Sequence, residues 1–281
     1  MEHLRSRQNI ARFALAAFVA LLGVACATVP YSGRNQLMLL GFAQEASLGA
    51  QAFEQAIKDE TPSRDGRRVV LDRVVARTIA KIPKRFQTLQ WQHLLIQSDV
   101  VNAFAVPGGR IAVYEGLLPI AHSEAGLAAI VGHEVAHVTS RHGAERISGT
   151  LLLTGALSAA ALSVQNKEYG DVIVGALGIG AQLGVAMPFS RKHELEADYV
   201  GMIYMARAGY DPHAAPLVWR RMVQEQGDLG PLSVLSTHPS SKKREARLTE
   251  ALPAAMKHYR RAQNPLGDGE RVDAPRVGGG K

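Results

Sequence analysis

The stretch IVGHEVAHVTSRHG, residues 130 to 143, constrains this chain more than any other. It sets three histidines and a glutamate in a segment otherwise rich in apolar and small residues. Two readings compete: a metal-binding helix, or a buried helix that happens to carry histidines. His133 and His137 stand four apart, so on a helix they lie about 40° apart on one face, one turn above the other. Two imidazoles arranged that way can converge on one Zn²⁺ ion. Glu134 is rotated by about 100° from His133 and lands beside that face, which suits a base acting on water at a metal. Leu127, Val131, Val135 and Val138 gather on a neighbouring face, centred near about 150°, so the helix is expected to bury one side and turn its histidine edge to a cleft.

Two histidines do not hold zinc tightly; a third protein ligand is needed, with a fourth position left for water. His142 fails the angle test. It falls about 160° from the ligand face if the helix continues, and reads as a packed or hydrogen-bonded histidine. The better candidate lies in SRKHELEADYVG, residues 190 to 201. Glu194 and Asp198 share a helical face, whereas Glu196 points about 200° away. Ala197 and Gly201 on that face permit close approach to the first helix. Glu194 is the candidate third ligand, and Asp198 can accept the N–H of a ligating histidine and fix its tautomer. The competing reading is a solvated acidic helix start. His238, in STHPSSKKREARL, sits in a loop stiffened by Pro239. From there it can reach the open metal position, steady an oxyanion, or cap the metal at rest; an ordinary surface histidine is the alternative.

The rest of the chain frames this site. Its 281 residues allow one or two domains with a real core. The net charge of +7 is spread out, with no basic run carrying interleaved aromatics, so nucleic acid is excluded as a partner. Residues 1–26 read as an export signal: basic MEHLRSRQNIAR, then apolar FALAAFVALLGVA, too short to span a bilayer. It ends at Cys26, the only cysteine, which is expected to carry a lipid and tie the chain to a membrane; cleavage after Ala27 is the alternative. A lone cysteine also leaves the fold to core packing or a metal, without internal disulfides.

Residues 27–36 read as a linker and residues 37–260 as one mostly α catalytic domain. Within it, the second half of residues 37–60 is helical. RRVVLDRVVARTIAKI is an amphipathic helix, closed by Pro83. LQWQHLLIQ, VVNAFAV and RIAVYEGLL are strand-like, the last two joined by a PGG turn, and predict a small antiparallel sheet. The apolar stretches within 150–187 predict a helical hairpin, buried or facing a membrane. Helices follow around 192–208 and 212–226, with another after HPSS. Residues 261–281 read as a disordered tail.

NAFAVPGGRIAVYEGLL, HEVAHVTSRH, SRKHELEAD and HPSSKKR occur in that order. Together they make the chain resemble the HtpX-like and CAAX-prenyl-protease-like gluzincin metallopeptidases, in particular their small periplasmic lipoprotein members. The resemblance runs from GRNQLMLL to HPSSKKREARL. It implies an α+β, mostly α, zincin-like domain with its sheet lining the cleft. It implies one zinc ion per chain on His133, His137 and Glu194, Glu134 as general base, and Asp198 in support. His238 and Arg244 match the family's histidine and basic residue near the metal and would stabilise the oxyanion. VNAFAVPGG would be the edge strand on which an extended substrate lies, with Asn102, Ala103 and Phe104 nearest the scissile peptide. The function so implied is a zinc endopeptidase of the bacterial periplasm, lipid-anchored to the outer membrane, that degrades misfolded or damaged envelope proteins. The alternative is a chaperone-like factor working with the outer-membrane protein assembly machinery.

Overall fold

The computed structural model of the chain describes residues 26–163, 189–225, 238 and 242–273. The export-signal reading of residues 1–25 and residues 164–187 of the apolar hairpin lie outside the described residues, as do residues 274–281. In chain order the elements are β1 (Cys26–Thr28), β2 (Asn35–Leu37), α1 (Phe42–Ile57), α2 (Arg68–Ile79), β3 (Gln92–Ile96), β4 (Ala103–Val106), β5 (Arg110–Tyr114), α3 (Glu124–Thr139), α4 (His142–Ser163), α5 (Arg191–Arg207), α6 (Ala214–Gln224) and α7 (Lys242–Tyr259). No helix among the described residues is long and apolar enough to cross a membrane.

The helix α3 is the axis of the molecule. Ser123 caps its start by accepting from the Gly126 amide. Its apolar face, Leu127, Val131 and Val135, is fully buried, and α2, α5, α6 and β4 pack around it. Each such side chain contributes roughly 1.5–3 kcal/mol. The polar edge is buried as well: His133, Glu134 and His137 are all under 5% exposed. The expectation of a helix with an open histidine edge therefore gives way to one enclosed on every side, the pattern of a central helix.

The three-stranded sheet runs β3–β5–β4 and is mixed. Strand β4 returns into β5 as an antiparallel hairpin, but β3 pairs with β5 in parallel, Gln92 opposite Arg110. This corrects the expected all-antiparallel sheet, because residues 97–102 carry the chain across the end of β5 instead of turning back beside β3. The hairpin turn needs glycine: Gly108 and Gly109 both hold φ of +91°. Strand β4 is the outer strand, and its far side faces α3.

Two segments read as irregular are built in. Residues 26–37 form the β1–β2 hairpin, with Cys26 opposite Leu37, and not a linker. The tail is pinned as far as residue 273. The Glu124 and Ala125 amides, which a helix start leaves without partners, donate to the carbonyls of Glu270 (2.7 Å) and Asp268 (2.9 Å). The Val272 amide donates to the His122 carbonyl and its side chain is fully buried. Beneath the tail, Arg73 grips buried Glu124 with two 2.8 Å hydrogen bonds and the Tyr210 hydroxyl donates to it at 2.7 Å. Composition predicts disorder here because these partners lie more than a hundred residues away.

Candidate active site

The site forms where α3 crosses α5, at Gly132 and Gly201. A Cβ on Gly132 would stand 2.7 Å from the Gly201 carbonyl oxygen, and one on Gly201 would stand 2.6 Å from the His133 amide nitrogen. Only glycines allow the two backbones this near, and the crossing brings the carboxylates of α5 up to the imidazoles of α3. Ser190 caps α5, accepting from the His193 amide, so Glu194 enters in the first turn.

His133, His137, Glu194 and His238 each offer one ligand atom to a buried cluster spanning no more than 4.8 Å. His133 Nε2 lies 3.0 Å from His137 Nε2, 3.2 Å from His238 Nδ1 and 3.4 Å from Glu194 Oε2. Glu194 Oε1 lies 3.5 Å from His137 Nε2 and 3.1 Å from His238 Nδ1. Ligands bonded to zinc at about 2.0–2.1 Å in a tetrahedron stand about 3.3–3.4 Å apart. The donor set, three imidazoles and a carboxylate, is zinc chemistry. Residues and spacing fit the metal.

Behind the cluster, His133 Nδ1 meets Asp198 Oδ1 at 2.9 Å, the support expected of Asp198. Arg244 lies against the same carboxylates. It donates to Asp198 through Nε and Nη2 at 2.7 Å each, pairs with Glu194 Oε2 at 2.7 Å, and lies 3.5 Å over the Trp219 ring. Burying such charges costs several kcal/mol each unless they are paired, and here the pairing is complete. Burial alone would lift both carboxylates, but His238 and Arg244 hold Glu194 well below its ordinary range, and Arg244 lowers Asp198. Burial would lower His133, yet Asp198 and Glu194 raise it to about 9. The pocket thus favours positive charge at His133 Nε2, which a dication satisfies.

Glu134 stands to one side. Burial raises its carboxyl. One oxygen accepts from the Ala105 amide at 3.0 Å; the other is 3.6 Å from His238 Nε2. Ala105 lies on the outer side of β4. Because the Tyr114 amide donates to the Asn102 carbonyl (3.0 Å), alternation turns Asn102, Phe104 and Val106 toward β5, and Ala103 and Ala105 outward. Of the expected substrate residues, Ala103 therefore turns its main chain to the outer edge, but it is fully buried there. Asn102 and Phe104 do not, and the Phe104 ring packs on Phe53, 5.8 Å between centroids. A small cavity lined by Ala105, Pro107, Val138, Gly143 and Phe189 joins this edge to His137.

His142 is the packed, hydrogen-bonded histidine expected; sequence reasoning missed Phe189 and the part played by Glu196. Arg141 takes a φ of +56°, ending α3, so His142 opens α4 and folds back instead of lying across the cylinder. Its Nδ1 reaches His137 Nδ1 at 2.9 Å and its Nε2 reaches Glu196 Oε2 at 2.9 Å. Burial lowers His142 to about 4, so it is neutral at pH 7. Phe189 covers His137, ring centroids 4.0 Å apart. Only the acidic residue at position 196, turned off the ligand face, carried any signal in the sequence.

Residues 66–252 match the family model described as Peptidase family M48. The chain belongs to peptidase family M48. It is a zinc metallopeptidase of that family, and the buried cluster is able to hold one metal ion. It is 36% identical over 234 residues to Mitochondrial metalloendopeptidase OMA1 of Schizosaccharomyces pombe, covering 81% of this chain and 67% of that protein. The OMA1 of Arabidopsis thaliana is 39% identical over 178 residues, 62% of this chain and 35% of the relative. The Beta-barrel assembly-enhancing protease of Escherichia coli is 32% identical over 163 residues, 56% of this chain and 33% of the relative. The chain thus spans about a third of the length of two of these relatives and two-thirds of the other. The expected periplasmic, outer-membrane location is corrected: relatives that align over much of this chain are mitochondrial, which points away from a bacterial periplasm.

Proposed function

We propose that this chain is an endopeptidase that cuts extended segments of misfolded or damaged proteins, with Glu134 as its general base. The observation that carries this reading is the four-donor cluster beside a buried glutamate whose second oxygen faces an outer strand edge. When bound, zinc polarises the scissile carbonyl and lowers the pKa of water at the site.

The chain's own residues do the rest. The outer edge of β4 takes the substrate main chain by hydrogen bonds beside Ala105, whose amide also anchors Glu134, which favours unfolded segments and tolerates many sequences. A substrate strand there delivers a side chain toward the cavity under Phe189. Glu134 accepts a proton from water and passes it to the leaving amine. Its raised carboxyl, set by burial, brings it nearer working pH. His238 would be a fourth donor to the metal, and its Nε2, turned toward Glu134, would be placed to steady the oxyanion. Arg244 has its donors on Asp198 and Glu194, so we assign it the holding of those carboxylates in place of the oxyanion contact.

The test is Glu134→Gln. It should retain about one zinc per chain while losing cleavage of casein. A variant that cleaves as fast as the parent ends the general-base assignment.

A further inference from the structure

The two ligand imidazoles of α3 are supported in different ways. His133 rests directly on a carboxylate, Asp198. His137 Nδ1 meets another imidazole, His142, at 2.9 Å, and only behind that ring does a carboxylate follow, Glu196 at 2.9 Å. The protons can be assigned throughout. When His137 offers Nε2 to a metal, its proton sits on Nδ1, so His142 Nδ1 must accept it. His142 then carries its own proton on Nε2 and donates it to Glu196. Both rings are neutral, and each nitrogen has one role.

The chain of contacts continues to the N-terminal hairpin. Glu196 Oε2 accepts from Arg34 Nε at 2.9 Å and Nη2 at 2.8 Å, and the Ser32 hydroxyl donates to Glu196 Oε1. Arg34 also grips Glu145 through two 2.6 Å hydrogen bonds. The hairpin is seated at a second point, where Tyr31 meets the Tyr204 ring edge-on at 5.7 Å. Arg34 and Ser32 together fix which oxygen of Glu196 faces His142. Glu196 in turn fixes which nitrogen of His142 is left to accept.

We infer that Arg34 is a positioning residue for the zinc ligand His137, acting across two side chains, Glu196 and His142. The inference rests on zinc being held by His133, His137 and Glu194. It makes the N-terminal hairpin part of the metal centre's support: with Arg34 gone, Glu196 turns, His142 loses its fixed tautomer, and His137 keeps no assured acceptor. Losing such outer partners of a metal ligand typically weakens metal affinity about 10–100-fold.

The decisive experiment is a double-mutant cycle on zinc release to a chelator, using the full chain loaded with zinc. The variants are Arg34→Gln, His142→Asn and the pair. Asparagine at 142 sets an amide oxygen near the old Nδ1, so it can still accept from His137 but cannot reach Glu196. Arg34→Gln should release zinc about tenfold faster than the parent, and the double variant no faster than His142→Asn alone. Rates that multiply in the double variant overturn the relay. Cobalt loading supplies a readout that a merely structural role would not move: the visible bands should shift in Arg34→Gln and stay unchanged in Arg247→Gln, an exposed surface control. If Arg34→Gln does not fold, Glu196→Gln serves in its place with the same expected speeding, and unchanged release there also overturns the inference. A parent chain that takes up no zinc would instead refute the ligand set itself.

Discussion

The α3–α5 crossing and the outer edge of β4 meet at Glu134, yet they are built on opposite rules. At the crossing every functional group is a side chain, buried and charge-paired: His133 on Asp198, Asp198 and Glu194 on Arg244. At the edge the outward groups are main-chain amides and carbonyls, of which the Ala105 amide donates to Glu134. The first arrangement fixes chemistry through particular side chains. On the proposed reading the second meets an extended chain through its backbone and asks little of its own sequence. The proposed cleavage of extended segments gains from having the two properties on separate elements.

The largest effect that tests this division is on the base. Glu134→Gln should lower casein cleavage about 10²–10⁴-fold with zinc content unchanged, as metal analysis beside a turnover assay would read. Next is the ligand set: Glu194→Gln should lose zinc during dialysis against a weak chelator that the parent withstands. Gly201→Val comes third. Its side chain must push α5 off α3, costing about 1–3 kcal/mol in denaturant unfolding and weakening zinc binding together with stability. If zinc affinity survives that loss of stability, the crossing is not what sets the ligand geometry. On the other side of the division, Ala105→Pro removes the outward amide that anchors Glu134, from an edge strand that can accommodate proline. Losing that hydrogen bond, about 0.5–1.5 kcal/mol, should lower kcat roughly three- to tenfold for many unrelated peptides alike; a change confined to KM would argue that the amide serves the substrate and not Glu134.

The smallest effect concerns pH. Burial would raise Glu145 and Glu196, but His193 and Arg34 hold the first near about 2, and His142 with Arg34 and Ser32 does the same for the second. Both are depressed from 4.5. Their contribution to stability is therefore complete above about pH 4.5 and fades as pH falls toward about 2. Denaturation midpoints followed across that window should fall in the parent. In Arg34→Gln the fall should begin at higher pH and be smaller in total.

What the sequence reveals follows the same division. Helical spacing places Glu194 and Asp198 on one face and sets Glu196 apart, because a helix converts residue number into angle. Small residues at 197 and 201 foretell the close crossing. Spacing fails wherever the chain leaves the helix. The break at Arg141 is made by a left-handed residue that is not glycine, so nothing marks it; His142 is packed and hydrogen-bonded as expected, although not at the helical angle that suggested it. Parallel pairing of β3 with β5 has no local signature either. The hairpin and tail, polar and rich in glycine, read as linker and disorder because their partners, Glu196 and the start of α3, are distant in sequence.

The capping of α3 by the tail carries a consequence for the order in which the molecule is made. The first amides of the helix find their acceptors at Asp268 and Glu270, and its histidines meet partners at 194, 198, 238 and 244. A nascent chain that has just produced HEVAH holds none of them. Contacts this far apart in sequence form slowly, so the metal centre is completed only once the segment reaching Glu270 has been made, and a nascent chain short of it has no assembled protease.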